Sequence, residues 1–516
     1  MLIKDAFTRT LKLYPNKLAL VDDQKKCTFK ELNERCDRLA NTLIHLGIEK
    51  GDHVGILLKN CIEIFEIVGA AAKTGIVTVP INFRLERKEL QYVIENSKCK
   101  VLILGSEYAE VVNTFRTDLD ELEHCIVIGR PIEGMLFYES IIADASRQLD
   151  DVQFDENDLA SIFYTSGTTG FPKGVMLTNR ITMGRCLMTI IEMSASANDR
   201  YLSILPLFHI AFHVALSYLY LGATVYIMRD WDAKAFCEMV HQEKITAILA
   251  APTILNFVGS YPDIHKYDLS SIKSLMYGGS PMPEATMKVC QKLFQCNYLQ
   301  MMGGTENGHS VTLKPEDHVE EGTEKEKKRL SASGRQCVLC EARVVNSDNE
   351  DIKPGEVGEL ITRGAGNLLG YWNNPEETRK KIKNGWYYTG DLGTVDEDGY
   401  IFLVERKNEM IISGGENIYP TEVENVLYSH PAIFEAAVIG VPDDQWGESV
   451  KALVVLHKGE SLSEADVINF CKENLASYKK PKSVEFIDSL PRNPTGKVLK
   501  KVLKEKYWEG YTRKIG

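Results

Sequence analysis

Hydroxyl, glycine and lysine residues are concentrated in one short stretch, YTSGTTGFPKG at positions 164–174. Glycine lacks the Cβ that blocks close approach, so backbone N–H groups in such a loop can line one concavity that fits an anion. The hydroxyls add donors, and the lysine adds a cation for a polyphosphate. We expect a phosphate-binding loop rather than a flexible surface turn, formed by Thr165, Ser166, Gly167, Thr168, Thr169, Gly170 and Lys173.

The loop departs from the best-known phosphate loop of nucleotide-binding proteins. That pattern, G-x-x-x-x-G-K-[ST], requires a hydroxyl residue after the lysine, whereas here Gly174 follows Lys173 and Pro172 precedes it. The apolar run at 159–164 predicts a strand before the loop. The loop would then leave the carboxyl end of a sheet, where α/β folds place their ligands.

The residues before the loop alternate between helical and extended patterns. A helix is expected at 28–46, where Thr28 and Glu31 form a capping box, with further helices at 62–73 and 85–95. Strands are expected at 54–58, 76–81 and 100–104. The alternation predicts an α/β protein with parallel-rich sheets covered by helices.

Composition excludes several classes of protein. The 516 residues suggest roughly three or four folding units, and the net charge of −12 gives no indication of nucleic acid binding. Twelve cysteines lack the spacing of a secreted domain, so a reducing cytoplasmic location is expected. The only C-x-x-C, Cys337 and Cys340, has no second pair at zinc spacing and is interpreted as buried thiols.

No transmembrane segment is expected. The N-terminus lacks the apolar core of a signal peptide. Residues 201–228 contain no Asp, Glu, Lys or Arg, but proline, histidine and serine interrupt them. We interpret this stretch as a strand, a loop, a buried helix and a second strand. The charge run 316–329 is expected to be an exposed, mobile loop.

The glycine-rich loop resembles the phosphate loop of the adenylate-forming superfamily, which includes acyl-CoA synthetases, luciferase and the adenylation domains of nonribosomal peptide synthetases. The resemblance covers nearly the whole chain. QMMGGTE at 300–306 is similar to the family's Y-G-x-T-E box, and WYYTGD, VERKNEMIISGGENIYPTEVE and LPRNPTGKVLKK follow in the family's order. The motifs as a whole resemble those of medium- or long-chain fatty acyl-CoA synthetases. The LPRN motif and Asn408 resemble the corresponding residues of carnitine and crotonobetaine CoA ligases.

The resemblance implies two domains. A large N-terminal domain, 1–405, would bind ATP and the acid, and a small mobile α+β domain, 406–516, would rotate about a hinge at Asn408. Within the small domain the residues predict helices at 422–429 and 464–474 and strands at 435–441 and 451–456.

The resemblance also assigns site residues. Catalysis would involve Lys497, His209, Thr305 and Glu306. The adenine would lie against Gly279, Ser280, Pro281, Met302 and Gly303, and the ribose against Asp391 and Arg406. Mg2+ would be held by Thr168 and Glu306, the acyl pocket would contain His209, Met301, Gly304 and His309, and CoA would pass Gly414, Gly415 and Glu416.

Taken alone, several of these residues have simpler interpretations. His209 lies in an apolar run, which is typical of a hydrogen-bonded core histidine. The glycine pair at 278–279 is typical of a turn that follows a strand. Asp391 could begin a turn, and Lys497 could be a solvated lysine near a terminus. Met301 stands where many relatives have glycine, so we expect a shortened or reshaped acyl pocket.

The activity implied is an ATP-dependent acid–CoA ligase that forms an acyl-adenylate from a fatty or other aliphatic acid. The alternatives are a stand-alone enzyme that loads a carrier protein, a luciferase-like oxygenase and a non-catalytic nucleotide-binding relative. The last would be expected to have lost Lys497 or Glu306, and both are present. The cofactors and substrates implied are ATP, Mg2+, CoA and a carboxylic acid, and a homodimer is one expectation for the assembly.

Overall fold

The computed structural model describes residues 2–150, 152–165, 172–279, 282, 284–319, 321–406, 409–413, 416–443, 445–492 and 498–509, with only the backbone of 284, 285 and 406. The chain divides into two compact units. The larger unit comprises Met1–Ala342 and Thr362–Tyr387, and the smaller comprises Arg343–Ile361 and Tyr388–Gly516.

Helices occur in both units. They are α1 (Lys4–Leu13), α2 (Phe29–His45), α3 (Glu63–Thr74), α4 (Arg87–Asn96), α5 (Ala109–Asn113), α6 (Tyr138–Ala143), α7 (Asn179–Glu192), α8 (Ala211–Leu221), α9 (Ala233–Glu243), α10 (Pro252–Gly259), α11 (Glu284–Leu293), α12 (Glu324–Arg329), α13 (Pro375–Lys381), α14 (Pro420–Tyr428), α15 (Glu464–Asn474) and α16 (Lys500–Trp508).

Strands in the first half of the chain are β1 (Leu18–Val21), β2 (Lys26–Thr28), β3 (His53–Leu57), β4 (Val77–Pro80), β5 (Cys99–Gly105), β6 (His124–Ile128), β7 (Leu136–Phe137), β8 (Leu159–Thr165), β9 (Lys173–Thr178), β10 (Arg200–Ser203), β11 (Thr224–Ile227) and β12 (Ala247–Ala250). Those that follow are β13 (Ser274–Gly278), β14 (Asn297–Gly304), β15 (Gly308–Leu313), β16 (Arg335–Gln336), β17 (Cys340–Val345), β18 (Gly358–Gly364), β19 (Gly370–Tyr371), β20 (Ile382–Lys383), β21 (Trp386–Val395), β22 (Ile401–Arg406), β23 (Ile411–Ser413), β24 (Glu416–Ile418), β25 (Ile433–Asp443), β26 (Gly447–Leu456) and β27 (Ser483–Phe486).

Two parallel-rich sheets form the frame of the larger unit. One has the strand order β2-β1-β11-β10-β12-β13-β14-β15-β16, and its strands from β1 to β14 run parallel. The other has the order β7-β6-β5-β3-β4-β8-β9-β19, parallel from β7 to β8. Each sheet contains an antiparallel hairpin near one edge, β14 with β15 and β8 with β9. These hairpins carry some of the predicted site residues: Thr165, Lys173, residues 301–306 and His309.

The helices bury their apolar faces, as the sequence predicts. Thr28 and Glu31 form the expected capping box of α2, which buries Leu32 and Leu39 among other apolar residues. All of α3 is buried, and its charged residues Glu63, Glu66 and Lys73 are paired with Lys25, Arg35 and Asp37. The charge-free stretch forms β10, α8 and β11, in the predicted order. Among the described residues, no helix has both the length and the apolar character needed to cross a bilayer.

The smaller unit is α+β. One of its sheets has the order β24-β23-β26-β25, with β27 parallel to β26, and α14 packs against β25. Most of a second sheet, β17-β18-β21-β20 with β22 paired to β21, also belongs to this unit. The predicted helices and strands of this part are confirmed, each within a few residues of its predicted ends. The predicted fold class, a large α/β part with parallel-rich sheets covered by helices and a smaller α+β part, is therefore confirmed.

One prediction from charge is wrong. Residues 316–329 were expected to form a loop, but the second half of the run is the helix α12. Thr323 and Glu326 form a capping box that satisfies the first N–H groups, which is sufficient to start a helix in an exposed, charged segment.

Candidate active site

The strands β8 and β9 hold the two ends of the predicted phosphate loop. Thr165 lies opposite Lys173, and Tyr164 lies opposite Gly174, in an antiparallel register. The strand before the loop is confirmed, whereas the strand that follows it was not predicted. Other predicted site residues lie outside the described part of the chain: Ser166, Gly167, Thr168, Thr169, Gly170, Ser280, Pro281, Asn408, Gly414, Gly415 and Lys497.

Lys173 has a carboxylate partner that the sequence analysis missed. Its ammonium lies 2.7 Å from a carboxylate oxygen of Glu377, and the two side chains are 17% and 16% exposed. The same ammonium lies 5.8 Å from the ring centroid of Tyr371. The lysine is therefore fixed at the mouth of the loop by a paired charge and an aromatic face. Tyr371 and Glu377 belong to the segment GYWNNPEET at positions 370–378, and this segment could have suggested them.

The hairpin of β14 and β15 presents Thr305 and Glu306 at its turn. Gly303 pairs with His309, and Gly304 with Gly308. A Cβ atom at Gly303 would overlap the carbonyl oxygen of Gly308, so a side chain cannot be accommodated there. The N–H of Gly304 donates to the amide oxygen of Asn307 over 2.8 Å, which closes the turn.

His209 reaches this turn from the segment between β10 and α8. Its Nε2 lies 3.4 Å from the hydroxyl oxygen of Thr305. Burial, assisted by the charge of Arg185, lowers the pKa of His209 to about 4. The imidazole is therefore neutral at physiological pH and acts as a hydrogen-bonding group rather than a cation. The structure brings together two residues that the sequence places almost a hundred positions apart.

Glu306 fits the role of a magnesium ligand. One of its carboxylate oxygens accepts a hydrogen bond from the Tyr371 hydroxyl over 3.2 Å, and Leu368 N–H donates to its carbonyl over 2.7 Å. Among the described residues, no group of three or more His, Cys, Asp or Glu side chains could hold a metal ion. One carboxylate is sufficient for Mg2+ when phosphate oxygens and water complete the octahedron. Tyr371 also links this carboxylate to Lys173.

Several residues predicted to contact the adenine or the acyl group lie at β13 and β14. Gly279 follows β13, and Met301, Met302, Gly303 and Gly304 belong to β14. Gly279 has a φ of +85°, and a Cβ built on it would meet nothing within 4 Å. This left-handed conformation explains the glycine and leaves open space beside the backbone. Met302 is half-buried, while Met301 is buried with the main apolar core.

A buried basic cluster lies behind the Thr305 turn, and the sequence analysis identified only part of it. Its members are Arg185 on α7, His213 on α8 and His309 on β15, with side chains that are 1%, 2% and 1% exposed. Burial lowers the pKa of Arg185 to about 10 and that of His309 to about 4, and lowers the pKa of His213 well below its usual value. Arg185 is therefore the single cation of the cluster at neutral pH. One arginine in the middle of an apolar helix gave no sequence signal of its own.

We predict that acidification destabilises the protein through these histidines. The pKa of His309 is about 4 in the folded chain and about 6.5 when unfolded, so between these values only the unfolded chain takes up the proton. The free energy of unfolding should fall as the pH falls through this window, by about 1.4 kcal/mol per pH unit for each such histidine. Urea unfolding across the window measures this slope. His309→Gln should make it shallower, and replacement of the exposed His265 should not.

The smaller unit holds the predicted ribose residues in register. Asp391 on β21 lies directly opposite Arg406 on β22. The backbone N–H of Asp391 donates to the hydroxyl of Thr389 over 3.0 Å. Glu416 is exposed at the start of β24. Two residues that the resemblance assigned to one ribose are thus neighbours across a single hairpin.

The hairpin that carries the ends of the predicted phosphate loop is linked through Tyr371 to the turn of Thr305 and Glu306, in a unit built on two parallel-rich sheets. Residues 7–372 match the model of the AMP-binding enzymes, and residues 422–497 match the C-terminal domain of the AMP-binding enzymes. The chain belongs to the AMP-binding enzyme family. It is accordingly an enzyme of the AMP-forming acid–thiol ligase class.

Relatives of the chain differ in their acids and acceptors. It is 34% identical over 490 residues to the long-chain-fatty-acid–CoA ligase FadD13 of Mycobacterium tuberculosis, covering 93% of both chains. It is 33% identical over 512 residues to the fatty acid–[acyl-carrier-protein] ligase ScoC of Streptomyces coeruleorubidus, covering 97% and 95%. Among solved structures, the anthranilate CoA ligase AuaEII in complex with anthranoyl-AMP is similar, with a TM-score of 0.88, 28% identity and 98% and 96% coverage.

Proposed function

We propose that this protein activates an aliphatic carboxylic acid with ATP and transfers the acyl group to CoA. The observation that carries the proposal is the contact of His209 with Thr305, at the turn that also carries Glu306 and that resembles the family's Y-G-x-T-E box. ATP, Mg2+ and CoA are the substrates and the metal ion of this class. The fatty or aliphatic nature of the acid is the finer part of the proposal.

In the first half-reaction a carboxylate oxygen attacks the α-phosphorus of ATP, and the bond to the bridging β-phosphate oxygen breaks. Lys173 neutralises charge on the phosphates, and the neutral His209 orients the acid through Thr305. When bound, Mg2+ supplies further positive charge to the phosphate oxygens, with Glu306 as its protein ligand. Lys497 stabilises the pentavalent centre.

In the second half-reaction the CoA sulfur attacks the acyl carbon, the thiol loses its proton, and AMP leaves. We propose that a boundary at Arg406 and a hinge at Asn408 let the small domain exchange Lys497 for the Gly414–Glu416 segment between the two steps. A single site then serves both reactions, and no covalent acyl-enzyme is needed.

We also propose a cytoplasmic location and a homodimeric assembly. The described cysteines are all free thiols, and all but Cys296 are buried, which suits a reducing compartment. Light scattering after size-exclusion chromatography tests the assembly, because a dimer doubles the monomer mass of 58.1 kDa.

Pyrophosphate release from ATP tests the function over a panel of short, medium and long fatty acids, aryl acids, carnitine and crotonobetaine, each with and without CoA. A CoA thioester that accumulates with one class of acid supports the proposal and identifies the acid. Release without a thioester favours the carrier-protein alternative, which the similarity to ScoC also favours. Absence of release with every acid would contradict the proposed function.

We predict that Met301→Gly shifts the preference toward longer or bulkier acids, because it removes a buried side chain from the expected pocket floor. The measurement is kcat/KM across the fatty acid series, expressed as ratios between acids, so that loss of folded protein cancels. Met276→Gly is the matched control, since Met276 is also buried and lies on the neighbouring strand β13. An unchanged chain-length profile in Met301→Gly would show that Met301 does not line the pocket.

A further inference from the structure

Arg185 is the largest fully buried side chain among the described residues. Its Nε donates to the Gly366 carbonyl over 2.9 Å, and its Nη2 donates to the carbonyls of Gly366 and Thr305, each over 2.7 Å. The third nitrogen, Nη1, is buried and has no hydrogen-bond partner. The guanidinium thus uses two nitrogens to hold two loops together and leaves the third unpaired.

The charge of Arg185 is also uncompensated at close range. Within the described part of the chain, no carboxylate forms an ion pair with it, and Glu306 interacts with it only electrostatically. A buried cation without a counterion costs several kcal/mol unless a partner is provided. A purely structural role, in which Arg185 holds the two loops together, accounts for the hydrogen bonds of Nε and Nη2. It does not account for the unpaired Nη1 or for the buried charge.

Further unpaired polar atoms lie in the same cluster. Neither ring nitrogen of His213 has a partner, nor has Nε2 of His309. Both histidines interact electrostatically with Arg185. More than nine in ten buried polar groups in proteins are normally paired, so several unpaired donors in one place indicate a missing acceptor. A neutral imidazole has one donor and one acceptor nitrogen; His309 directs its N–H at the Met188 backbone, so its Nε2 can only accept. The unpaired donors are therefore one N–H of His213 and the two of Arg185 Nη1.

The cluster adjoins the reacting end of the site. The Thr305 hydroxyl faces His209, and the Thr305 carbonyl accepts from Arg185, so one residue spans the distance between the acid-orienting histidine and the guanidinium. Arg185 also packs on Gly308, where a Cβ atom would come within 3.2 Å of its Nε. Gly308 immediately precedes His309, which the resemblance assigned to the acyl pocket.

We propose that Arg185, with His213, binds a second oxygen group of the acid substrate, and that the enzyme prefers short acids with a carboxylate, carbonyl or hydroxyl oxygen distal to the activated carboxylate. A second carboxylate is the strongest ligand, because it pairs its charge with the guanidinium. A plain hydrocarbon tail would instead leave these donors unpaired. The inference rests on the proposed function and specifies its substrate class.

Matched acids of equal length test the proposal: butanoate against 4-hydroxybutanoate and succinate, and hexanoate against adipate. The measurement is kcat/KM for pyrophosphate release with ATP, Mg2+ and CoA. We expect the oxygenated acid to be preferred by about ten- to hundredfold in at least one set. In Arg185→Gln this ratio should fall to about one, mainly through loss of activity on the oxygenated acid. The ratio is independent of the fraction of folded enzyme.

A second variant protects the test against misfolding of Arg185→Gln. His213→Phe replaces unpaired nitrogens by carbon beside Phe163, whose ring centroid is 5.1 Å away, and is therefore expected to fold. It should also lower the preference for the oxygenated acid. Arg200→Gln, at an exposed arginine of β10, is the control and should leave the ratio unchanged. A thermal shift of the protein with succinate but not butanoate provides a binding readout that does not require turnover.

Three outcomes would overturn the proposal. If plain acids are preferred, the cluster does not bind a second oxygen group. If Arg185→Gln and His213→Phe keep the wild-type ratio of kcat/KM between oxygenated and plain acids, the cluster is structural. In both cases pyrophosphate release would leave the proposed function intact. If no acid gives pyrophosphate release or a thermal shift, the proposed function itself fails, and this inference fails with it.

Discussion

Lys497→Ala is expected to slow acyl-adenylate formation by about 10²- to 10³-fold, because the variant loses the cation that we propose stabilises the α-phosphate in the transition state. Transfer from supplied acyl-adenylate to CoA should change little, since the proposed domain rotation withdraws Lys497 from the site in that step. Pyrophosphate release measures the first half-reaction, and thioester formation from synthetic acyl-adenylate measures the second.

The control for this variant is Lys501→Ala, which removes an exposed lysine at the start of α16. It should leave both half-reactions unchanged. Equal loss of both half-reactions in Lys497→Ala would mean that the lysine has another role, such as supporting the fold of the small domain. If Lys497→Ala leaves both half-reactions unchanged, Lys497 has no part in the mechanism.

Glu306→Gln is expected to raise the Mg2+ concentration needed for half-maximal activity by about tenfold or more, because an amide is a weaker ligand than a carboxylate for this hard cation. The variant retains an oxygen that can accept from the Tyr371 hydroxyl, so the turn should keep its conformation. Pyrophosphate release as a function of Mg2+ at fixed ATP measures the effect, and it should be partly rescued at high Mg2+.

Glu376→Gln is the matched control, since Glu376 is exposed and lies next to Glu377 in sequence. Its Mg2+ dependence should equal that of the wild type. A Glu306→Gln enzyme that loses activity equally at every Mg2+ concentration would contradict the metal role and would point to a role of Glu306 in orienting the acid or the turn.

The fold was largely predictable because its signals are local. The capping box of α2, the apolar run of α3 and the charge-free stretch that forms β10, α8 and β11 each depend on residues within a few positions of one another. The exception, α12, also has a local cause, since the cap at Thr323 decided the conformation where charge alone suggested a loop.

The site was predictable only where residue types were unusual. Glycines and hydroxyls marked the loop before Lys173, and the Thr305–Glu306 pair marked the turn. Partners that are distant in sequence left no signal: the ion pair of Lys173 with Glu377 joins residues 204 positions apart. Arg185 contacts Thr305 across 120 positions, and its importance comes from burial and a missing partner, which only the folded structure reveals.

The most direct test of the account follows an oxygen atom from the acid. The acid that supports pyrophosphate release is labelled with ¹⁸O in its carboxyl group, and the AMP formed with CoA is analysed by mass spectrometry. If the carboxylate attacks the α-phosphorus and the thiol then attacks the acyl carbon, one labelled oxygen leaves with AMP. AMP without the label, formed while thioester accumulates, would show that the acid is not activated as an acyl-adenylate and would contradict the central claim.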